Sequence, residues 1–165
     1  YLFILIVMIT DDGETILFKE CSLTTAYTID SEAEFLIKTI HALKDDKYEM
    51  IKSRDKYANI DFMLLNKKNL CSVLIEHKRK KISGKSFDTF FIGFNKLIAL
   101  DTFYNAPIYL VFECDDDTWW CEYDSSFLKR ETQIIRGGKL IEIKKSECGC
   151  GFNKLISQLK SRLNI

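Results

Sequence analysis

Two apolar segments joined by a short polar turn are the strongest constraint on the fold of this 165-residue chain. Residues 58–65 (ANIDFMLL) and 70–78 (LCSVLIEHK) are rich in apolar and β-branched side chains, and residues 66–69 (NKKN) separate them. This pattern predicts a β-hairpin. A turn centred in the middle of the polar segment would place Asp61 opposite Leu74.

The segments on either side of this hairpin predict a mixed α/β fold. From residue 31 onwards the predicted order is helix, three strands, helix and strand, which favours a central mixed sheet flanked by helices. The second helix would cross over to a strand that pairs in parallel with the hairpin. The predicted elements are a helix at 31–44 with a Ser31–Glu34 capping box, a strand at 48–53, a helix at 87–103, strands at 108–113 and 118–123, a hairpin over 133–144 turning at Gly137-Gly138, and a helix at 152–163.

Composition indicates a single domain with a hydrophobic core. The chain is 47% hydrophobic and contains one proline and seven glycines, so disordered and collagen-like classes are excluded. We expect one domain over residues 1–165, with a core at about 31–124 and an additional hairpin and helix at 130–165. Lys and Arg number 24, as do Asp and Glu, which excludes a uniformly basic surface but not a local basic patch.

The six cysteines indicate a reducing environment. A chain of this size does not need disulfide staples, and both Cys71 and Cys121 fall inside predicted strands, where a cysteine is typically a small buried residue. Cys148-Gly149-Cys150 is half of a metal-site pattern without a second half. We therefore expect an intracellular, cytoplasmic protein.

The apolar segment Tyr1–Val7 is too short to span a bilayer and lacks the features of a signal peptide. It is either a first strand over residues 2–9 or an extension upstream of a start at Met8. No other segment approaches the length of a membrane span, so no membrane partner is expected.

Three charged residues in the predicted hairpin are candidates for a functional site. Asp61 lies in one predicted strand, and Glu76 and Lys78 lie in the next. Because side chains alternate along a strand, all three would share one face, with the two carboxylates as diagonal neighbours about 7 Å apart. Two carboxylates at that separation can reach one divalent cation. The alternative is a structural ion pair between an acid and Lys78.

A basic segment follows directly. Residues 78–85 (KRKKISGK) contain five Lys or Arg and no acid. Such a patch is typical of contacts with nucleic-acid phosphates, and Arg79, Lys80, Lys81 and Lys85 are the candidate residues. A solvated loop is the alternative. Neither a glycine-rich phosphate loop nor a Ser-His-Asp arrangement is present.

A helix with Ser-x-x-Glu (Ser31–Glu34), an Asp in the second strand (Asp61) and Glu-x-Lys in the third (Glu76, Lys78), followed by a helix and a strand, resembles the PD-(D/E)XK nuclease superfamily. That superfamily includes restriction endonucleases, Holliday-junction resolvases and phage endonucleases. The resemblance covers about residues 31–113, and Ile60 stands where the family often has proline. It implies a restriction endonuclease-like αβββαβ core.

The resemblance also implies a function. It implies hydrolysis of DNA phosphodiester bonds by an endonuclease of phage or resolvase type, with Mg²⁺ or Mn²⁺ held by Asp61, Glu76 and the main-chain carbonyl of His77. Lys78 would be the catalytic lysine, and Glu34, or else Glu32, an accessory carboxylate. The family often has a polar residue on the following helix, for which Asn95 and Lys96 are the candidates.

Two further classes remain open at this point. One is a catalytically inactive nuclease-fold domain that binds nucleic acid or a protein partner, and the other is a structural protein whose charges pair across strands. DNA is the expected partner, and no small-molecule cofactor is expected. Homodimerisation stays open, because a duplex offers two strands to cut.

Overall fold

The computed structural model describes residues 6–9, 15–18, 31–53, 59–103 and 105–164. The described strands and α-helices, in chain order, are β1 (Ile6–Ile9), β2 (Thr15–Phe18), α1 (Ser31–Leu43), β3 (Tyr48–Lys52), β4 (Phe62–Asn66), β5 (Ser72–Arg79), β6 (Thr89–Gly93), α2 (Phe94–Leu100), β7 (Ile108–Glu113), β8 (Thr118–Glu122), β9 (Thr132–Ile135), β10 (Gly138–Lys144), β11 (Gly149–Cys150) and α3 (Phe152–Leu163).

These strands form two sheets. The larger has the order β11-β8-β7-β5-β4-β3-β1-β2, and the smaller has the order β6-β10-β9. Strands β3, β4 and β5 are antiparallel neighbours, whereas β5 and β7 pair in parallel. The mixed central sheet and the additional C-terminal hairpin and helix are therefore confirmed, and so is the α-β-β-β-α-β order of the core, into which β6 of the small sheet is inserted before α2. The extent of the domain stays a prediction.

Hydrophobic packing covers both faces of the large sheet, because alternate residues of its central strands are buried on opposite sides. Helices α1 and α3 cover one face, where Phe35 and Leu159 are completely buried together with Val73 and Ile75 of β5. Helix α2 and the small sheet cover the other face, where Leu97 and Ile141 pack with Leu74, Leu110 and Phe112. The odd-numbered residues Val73 and Ile75 of β5 thus face α1 and α3, whereas the even-numbered Leu74 faces α2 and the small sheet.

The predicted helix at 87–103 is only partly correct. Residues 89–93 (TFFIG) form strand β6, and helix α2 is confined to Phe94–Leu100. Phe90 and Ile92 are buried in alternation as β6 pairs with β10, and this non-local pairing outweighs the helical spacing of the aromatic residues. The shorter helix begins after Gly93.

The predicted C-terminal hairpin is present, but its turn lies one residue earlier. Ile135 pairs with Gly138, so the two turn residues are Arg136 and Gly137 rather than Gly137 and Gly138. Both have positive φ angles, 49° and 80°, as a tight type I′ hairpin turn requires. Gly137 adopts this conformation without steric cost.

The register of the central hairpin differs from the predicted one by two residues. Leu74 pairs with Met63, not with Asp61, and the last paired residues are Phe62 and Ile75. The turn is longer than predicted: the Leu70 backbone N–H donates to the carbonyl of Asn66, and Leu70 has a φ of 59°. Because side chains alternate with period two, this shift leaves Asp61 on the predicted face.

Several smaller expectations can also be compared with the structure. Helix α3 has the predicted bounds, and its buried residues pack on α1 and the sheet. Cys71 precedes β5 and is only partly buried, so its placement inside a strand was wrong, whereas Cys121 is buried in β8. Residues 1–5 and the Ser31 side chain of the predicted capping box lie outside the described residues. None of the described helices is long and apolar enough to cross a membrane.

Candidate active site

Glu76 is a buried acid with two lysine partners. It lies in the interior of β5 with 1% of its side chain exposed. Lys78, two residues further along the same face, places its Nζ 3.0 Å from Glu76 Oε1. Lys96, from helix α2, places its Nζ 2.9 Å from Oε2. Both pairs bring a partly exposed cation to a carboxylate that would otherwise be buried without compensation.

Asp61 lies beside Glu76 at the point where the hairpin opens. It directly precedes β4 rather than lying inside it, and its carbonyl accepts a hydrogen bond from the Ser53 N–H. Continuing the observed register would place Asp61 directly opposite Glu76, closer than the predicted diagonal arrangement. The Asp61 Oδ2 accepts a hydrogen bond of 2.7 Å from the backbone N–H of His77. This side-chain contact replaces the backbone hydrogen bond that a continued β4 would make with His77.

The electrostatics of this pair are unfavourable for two ionised carboxylates. Burial, followed by the neighbouring Glu76 carboxylate, raises the pKa of Asp61 to about 6. The hydrogen bond from His77 and the charge of Lys96 oppose this rise but do not cancel it. The pair would therefore gain from additional positive charge near Asp61.

The backbone of His77 faces the same opening. The N–H groups of Leu74 and Lys80 donate to carbonyls of the segment containing β7, so even-numbered residues of β5 direct their backbone towards β7. Odd-numbered residues direct theirs towards β4. Since β4 pairing ends at Ile75, the His77 main-chain carbonyl is directed past the end of β4, towards the side where Asp61 lies.

Of the predicted catalytic residues, the structure brings together Asp61, Glu76 and Lys78 but not Glu34. Helix α1 packs on the opposite face of the sheet, where Phe35 stacks on the His77 ring at a centroid distance of 4.5 Å. Glu34 is exposed on that helix, and Glu32 pairs with Lys52 at 3.0 Å. Lys96 was one of two candidates on the following helix, and its contact with Glu76 could not be assigned from spacing alone.

The predicted basic patch is divided between paired and exposed residues. Arg79 donates to Asp115 Oδ1 at 2.8 Å and to the carbonyl of Cys114 at 3.1 Å, so its guanidinium is engaged by the acidic turn. Lys81 and Lys85 are exposed, and Lys80 is partly exposed. Lys81 and Lys85 therefore present the most accessible charge, whereas the charge of Arg79 is already paired within the protein.

The acidic turn after β7 is exposed, as a solvated turn would be, but it also anchors the basic loop. Asp116 accepts hydrogen bonds from the Ser83 hydroxyl at 2.7 Å and from the Gly84 N–H at 2.6 Å. These bonds, led by the one from Ser83, lower the Asp116 pKa to about 2. A Cβ at Gly84 would come within 2.7 Å of Trp119 Nε1, so the loop fits closely against β8.

A second buried acid, Glu113, lies on the face covered by α1. Its carboxylate contacts His77 Nε2 at 3.1 Å and Lys38 Nζ at 3.3 Å. Although burial is the largest single influence and raises the Glu113 pKa, the His77 hydrogen bond and the Lys38 charge outweigh it and lower the pKa. Alternation along the strand predicts that His77 faces away from Glu76 and Lys78, but nothing in the local pattern indicates that Glu113 is the residue it contacts there.

The metal ligands available in the described part of the chain are few. No group of three or more His, Cys, Asp or Glu residues that could hold a metal ion occurs among the described residues. An ion here would depend on Asp61, Glu76 and the His77 carbonyl, completed by water or substrate oxygens. This donor set suits Mg²⁺, which commonly uses one or two carboxylates and retains several waters.

Comparisons with known proteins show a distant structural similarity and no similarity in sequence to a known family. No family model and no curated protein matches the sequence. Among solved structures, the fold is similar to Hjc from Archaeoglobus fulgidus, a Holliday junction resolvase from an archaeal hyperthermophile, with 15% identity and a TM-score of 0.44. The match covers 69% of this chain and 88% of the resolvase. These values are too low to assign a family or an activity.

Proposed function

We propose that this protein is a metal-dependent nuclease that hydrolyses DNA phosphodiester bonds, as an endonuclease of phage or resolvase type. The observation that carries the proposal is the convergence of Asp61, Glu76 and Lys78 where β4 and β5 separate. Asp61 is partly buried beside a second carboxylate, and its pKa is raised to about 6. Perturbed acids of this kind are typical of functional sites, because a fold gains no stability from them.

Mg²⁺ or Mn²⁺ fits this donor set. Asp61, Glu76 and the carbonyl of His77 would hold the ion, whose charge would offset the repulsion between the two carboxylates. When bound, the ion would acidify a water molecule and neutralise charge that develops on the scissile phosphate. The hydrogen bond from the His77 N–H to Asp61 keeps that carboxylate oriented towards the opening.

The lysines have separate roles in this proposal. Lys78 is the catalytic lysine: its side chain is 42% exposed, so it can contact a phosphate oxygen or orient a water while one end of Glu76 holds it. Lys96 is less exposed, at 22%, and fixes the other Glu76 oxygen. Glu34 would have to reach the site from the opposite face of the sheet, so we retain it only as an accessory residue outside the cluster.

DNA would approach across the exposed lysines that follow β5. Lys80, Lys81 and Lys85 extend from the same strand end as Lys78. Their charge would contact backbone phosphates, which position a duplex without reading its sequence. Arg79, held by Asp115 and Cys114, would support the loop instead of binding DNA. A homodimer would suit cleavage of both strands.

A plasmid-nicking assay with Mg²⁺ tests the proposal. Wild-type protein should convert supercoiled plasmid to nicked or linear forms, and Lys78→Ala should reduce the rate by at least about a hundredfold. Lys67→Ala is the matched control, because Lys67 is exposed in the β4–β5 turn at the other end of the strand pair. Equal nicking by Lys78→Ala and Lys67→Ala would contradict the assigned role.

A second candidate function is supported by the same ion pairs. Because lysines engage both oxygens of Glu76, the cluster can also be read as a structural ion-pair network in a non-catalytic domain that binds nucleic acid or protein. Such a domain would bind DNA without cleaving linear, circular, single-stranded or branched substrates. A cleavage screen over those four substrates distinguishes the two functions.

A further inference from the structure

Cys121 and Cys148 face each other where the edge strand β11 joins the large sheet. Gly149 pairs with Trp120, and the Gly151 N–H donates to the Thr118 carbonyl at 2.9 Å. Continuing this register by one residue places Cys148 directly opposite Cys121. Hydrogen-bonded and non-hydrogen-bonded pairs alternate along an antiparallel ladder, so this position is a non-hydrogen-bonded pair.

That geometry suits a cross-strand disulfide. Non-hydrogen-bonded pairs have Cα atoms about 4.5 Å apart, inside the range of roughly 4.4–6.8 Å found for disulfides. The two side chains are also in contact, because the Cys121 thiol and the Cys148 sulfur share a hydrogen bond. Both residues are free cysteines.

The two thiols differ in accessibility and ionisation. Cys121 is buried, with 6% exposure, whereas Cys148 is partly exposed. The hydrogen bond from Cys121 lowers the pKa of Cys148 and, together with burial, raises the pKa of Cys121. Burial and the neighbouring Glu147 oppose the Cys148 thiolate, while the nearby Arg130 and Lys145 favour it, and the net effect is a lowered pKa. Cys148 is therefore the more reactive of the pair.

We propose that Cys121 and Cys148 form a site of reversible oxidation, in which a peroxide converts the facing thiols into a disulfide between β8 and the residue preceding β11. This site is independent of the proposed nuclease activity. Neither cysteine belongs to the cluster of Asp61, Glu76 and Lys78. The reaction requires only an oxidant of the peroxide class.

The reaction balances in two steps. The Cys148 thiolate attacks a peroxide oxygen, forming an S–O bond and breaking the O–O bond, which gives a sulfenic acid and hydroxide. The Cys121 sulfur then attacks the Cys148 sulfur, forming the S–S bond, and the hydroxyl leaves with the Cys121 proton as water. Once Cys148 is oxidised, its negative charge no longer opposes ionisation of Cys121.

The bond would close the chain segment that contains the β9–β10 hairpin. That hairpin pairs with β6 in the small sheet, so the bond, made beside the edge of the large sheet, would close a loop that contains two strands of the small one. Because a crosslink restricts the unfolded chain, the oxidised protein should unfold at a temperature about 5 °C or more above that of the reduced protein.

Peptide mapping after treatment with hydrogen peroxide tests the proposal in the full-length wild-type protein. Trypsin produces peptide 97–129, which contains Cys114 and Cys121, and peptide 146–154, which contains Cys148 and Cys150. Non-reducing mass spectrometry should detect these two peptides joined, and dithiothreitol should separate them. Finding only unlinked peptides with sulfinic or sulfonic acid, or a bond within peptide 146–154, would overturn the proposal.

Single substitutions identify the bonded pair. Cys121→Ser and Cys148→Ser should each abolish the joined species, whereas Cys114→Ser and Cys150→Ser should retain it. Cys150 is the closest control, since it lies two residues from Cys148 and its thiol donates to Asp117 instead. Persistence of the joined peptides in Cys121→Ser would assign the bond to Cys114 and refute the pair.

Discussion

Two buried glutamates lie on neighbouring parallel strands, and both have lysine partners, but among the described residues only Glu76 also has a second carboxylate beside it. Glu76 of β5 faces α2 beside Asp61, whereas Glu113 of β7 faces α1 beside His77. Around Glu113 the positive and hydrogen-bonding partners lower the carboxyl pKa despite burial. Around Glu76 a second carboxylate is present, and the Asp61 pKa is raised to about 6.

The difference separates a structural network from a candidate functional one. The Glu113 network ties α1, β5 and β7 together through Lys38, His77 and the more distant Arg79, so it stabilises the ionised acid. In the Asp61–Glu76 pair, burial and the neighbouring carboxylate destabilise the ionised form of Asp61. A protein retains such a pair at little benefit to folding, which is the signature expected where a ligand supplies the missing charge.

Replacing Glu113 with alanine should have the largest effect on stability. Glu113→Ala leaves Lys38 and His77 without their buried partner and should lower the free energy of unfolding by about 3 kcal/mol. Chemical denaturation monitored by circular dichroism measures this change. Glu131→Ala, on an exposed site, is the control and should change stability by less than about 0.5 kcal/mol.

The pH dependence of the Glu113 contribution has a definite sign. Because the folded-state pKa is lowered, the stabilisation is complete above the unfolded-state value near 4.5 and is lost as the pH falls through the folded-state pKa. The difference between wild type and Glu113→Ala should therefore shrink in acid. A difference that stays constant from pH 7 to pH 3 would contradict the assigned charge network.

Magnesium should stabilise the folded protein by binding at the Asp61–Glu76 pair. At a concentration of about ten times the dissociation constant, the ion should raise the free energy of unfolding by about 1.4 kcal/mol, which corresponds to a rise in Tm of about 4 °C. Thermal unfolding with and without MgCl₂ measures the shift. Glu76→Gln should abolish it, whereas Glu113→Gln should leave it intact; equal shifts in both variants would argue against this site.

Removing the charge of Asp61 should stabilise the apo protein. Asp61→Asn keeps an oxygen that can accept the His77 N–H but removes the repulsion with Glu76, so stability at pH 7 should rise by about 1 kcal/mol after allowance for partial exposure. Urea denaturation without divalent metal measures this gain. Asp88→Asn, on an exposed residue, is the matched control and should be neutral.

The pH dependence of the Asp61 contribution to stability has the opposite sign to that of Glu113, because the pKa of Asp61 is raised and that of Glu113 is lowered. Since the folded-state pKa of Asp61 is about 6 and the ordinary value of an aspartate is 3.8, the folded state binds an extra proton between these two pH values. Wild-type stability should therefore gain a contribution as the pH falls from about 7 to about 4, and Asp61→Asn should lose that pH dependence. Equal slopes for the two proteins in this window would refute the carboxylate pair.

The sequence predicted which residues surround Glu76 but not which residues surround Glu113. Alternation along β5 placed Glu76 and Lys78 on one face and His77 on the other, and a two-residue error in register left Asp61 on the predicted face, since strand periodicity is two. Long-range partners could not be read in this way. Lys38 is 75 residues from Glu113 along the chain, and no local pattern joins them.

The element errors have a related cause. Residues 89–93 carry aromatic residues that fit either a helix or a strand, and the choice depends on β10, more than forty residues later in the sequence. The position of Arg79 was ambiguous for the same reason. Its charge predicts a phosphate contact when the sequence is read locally, but the structure also gives its guanidinium a partner within the protein, Asp115 in the turn after β7.

The exposed lysines should have the smallest effect on stability and a selective effect on DNA binding. Lys81→Ala with Lys85→Ala should change the free energy of unfolding by less than about 0.5 kcal/mol, yet should reduce the slope of log affinity against log salt by about 0.9 for each lost phosphate contact. Fluorescence anisotropy with labelled duplex DNA over a salt series measures the slope.

The paired control separates a local interface from general charge attraction. Lys67→Ala with Lys68→Ala removes two lysines that are also exposed, in the β4–β5 turn at the opposite end of the strands from Glu76. If DNA binds beside Lys78, only the Lys81 and Lys85 variant should flatten the salt dependence. Equal slopes in both double variants would mean that the loop after β5 is a support held by Asp116 rather than a DNA contact.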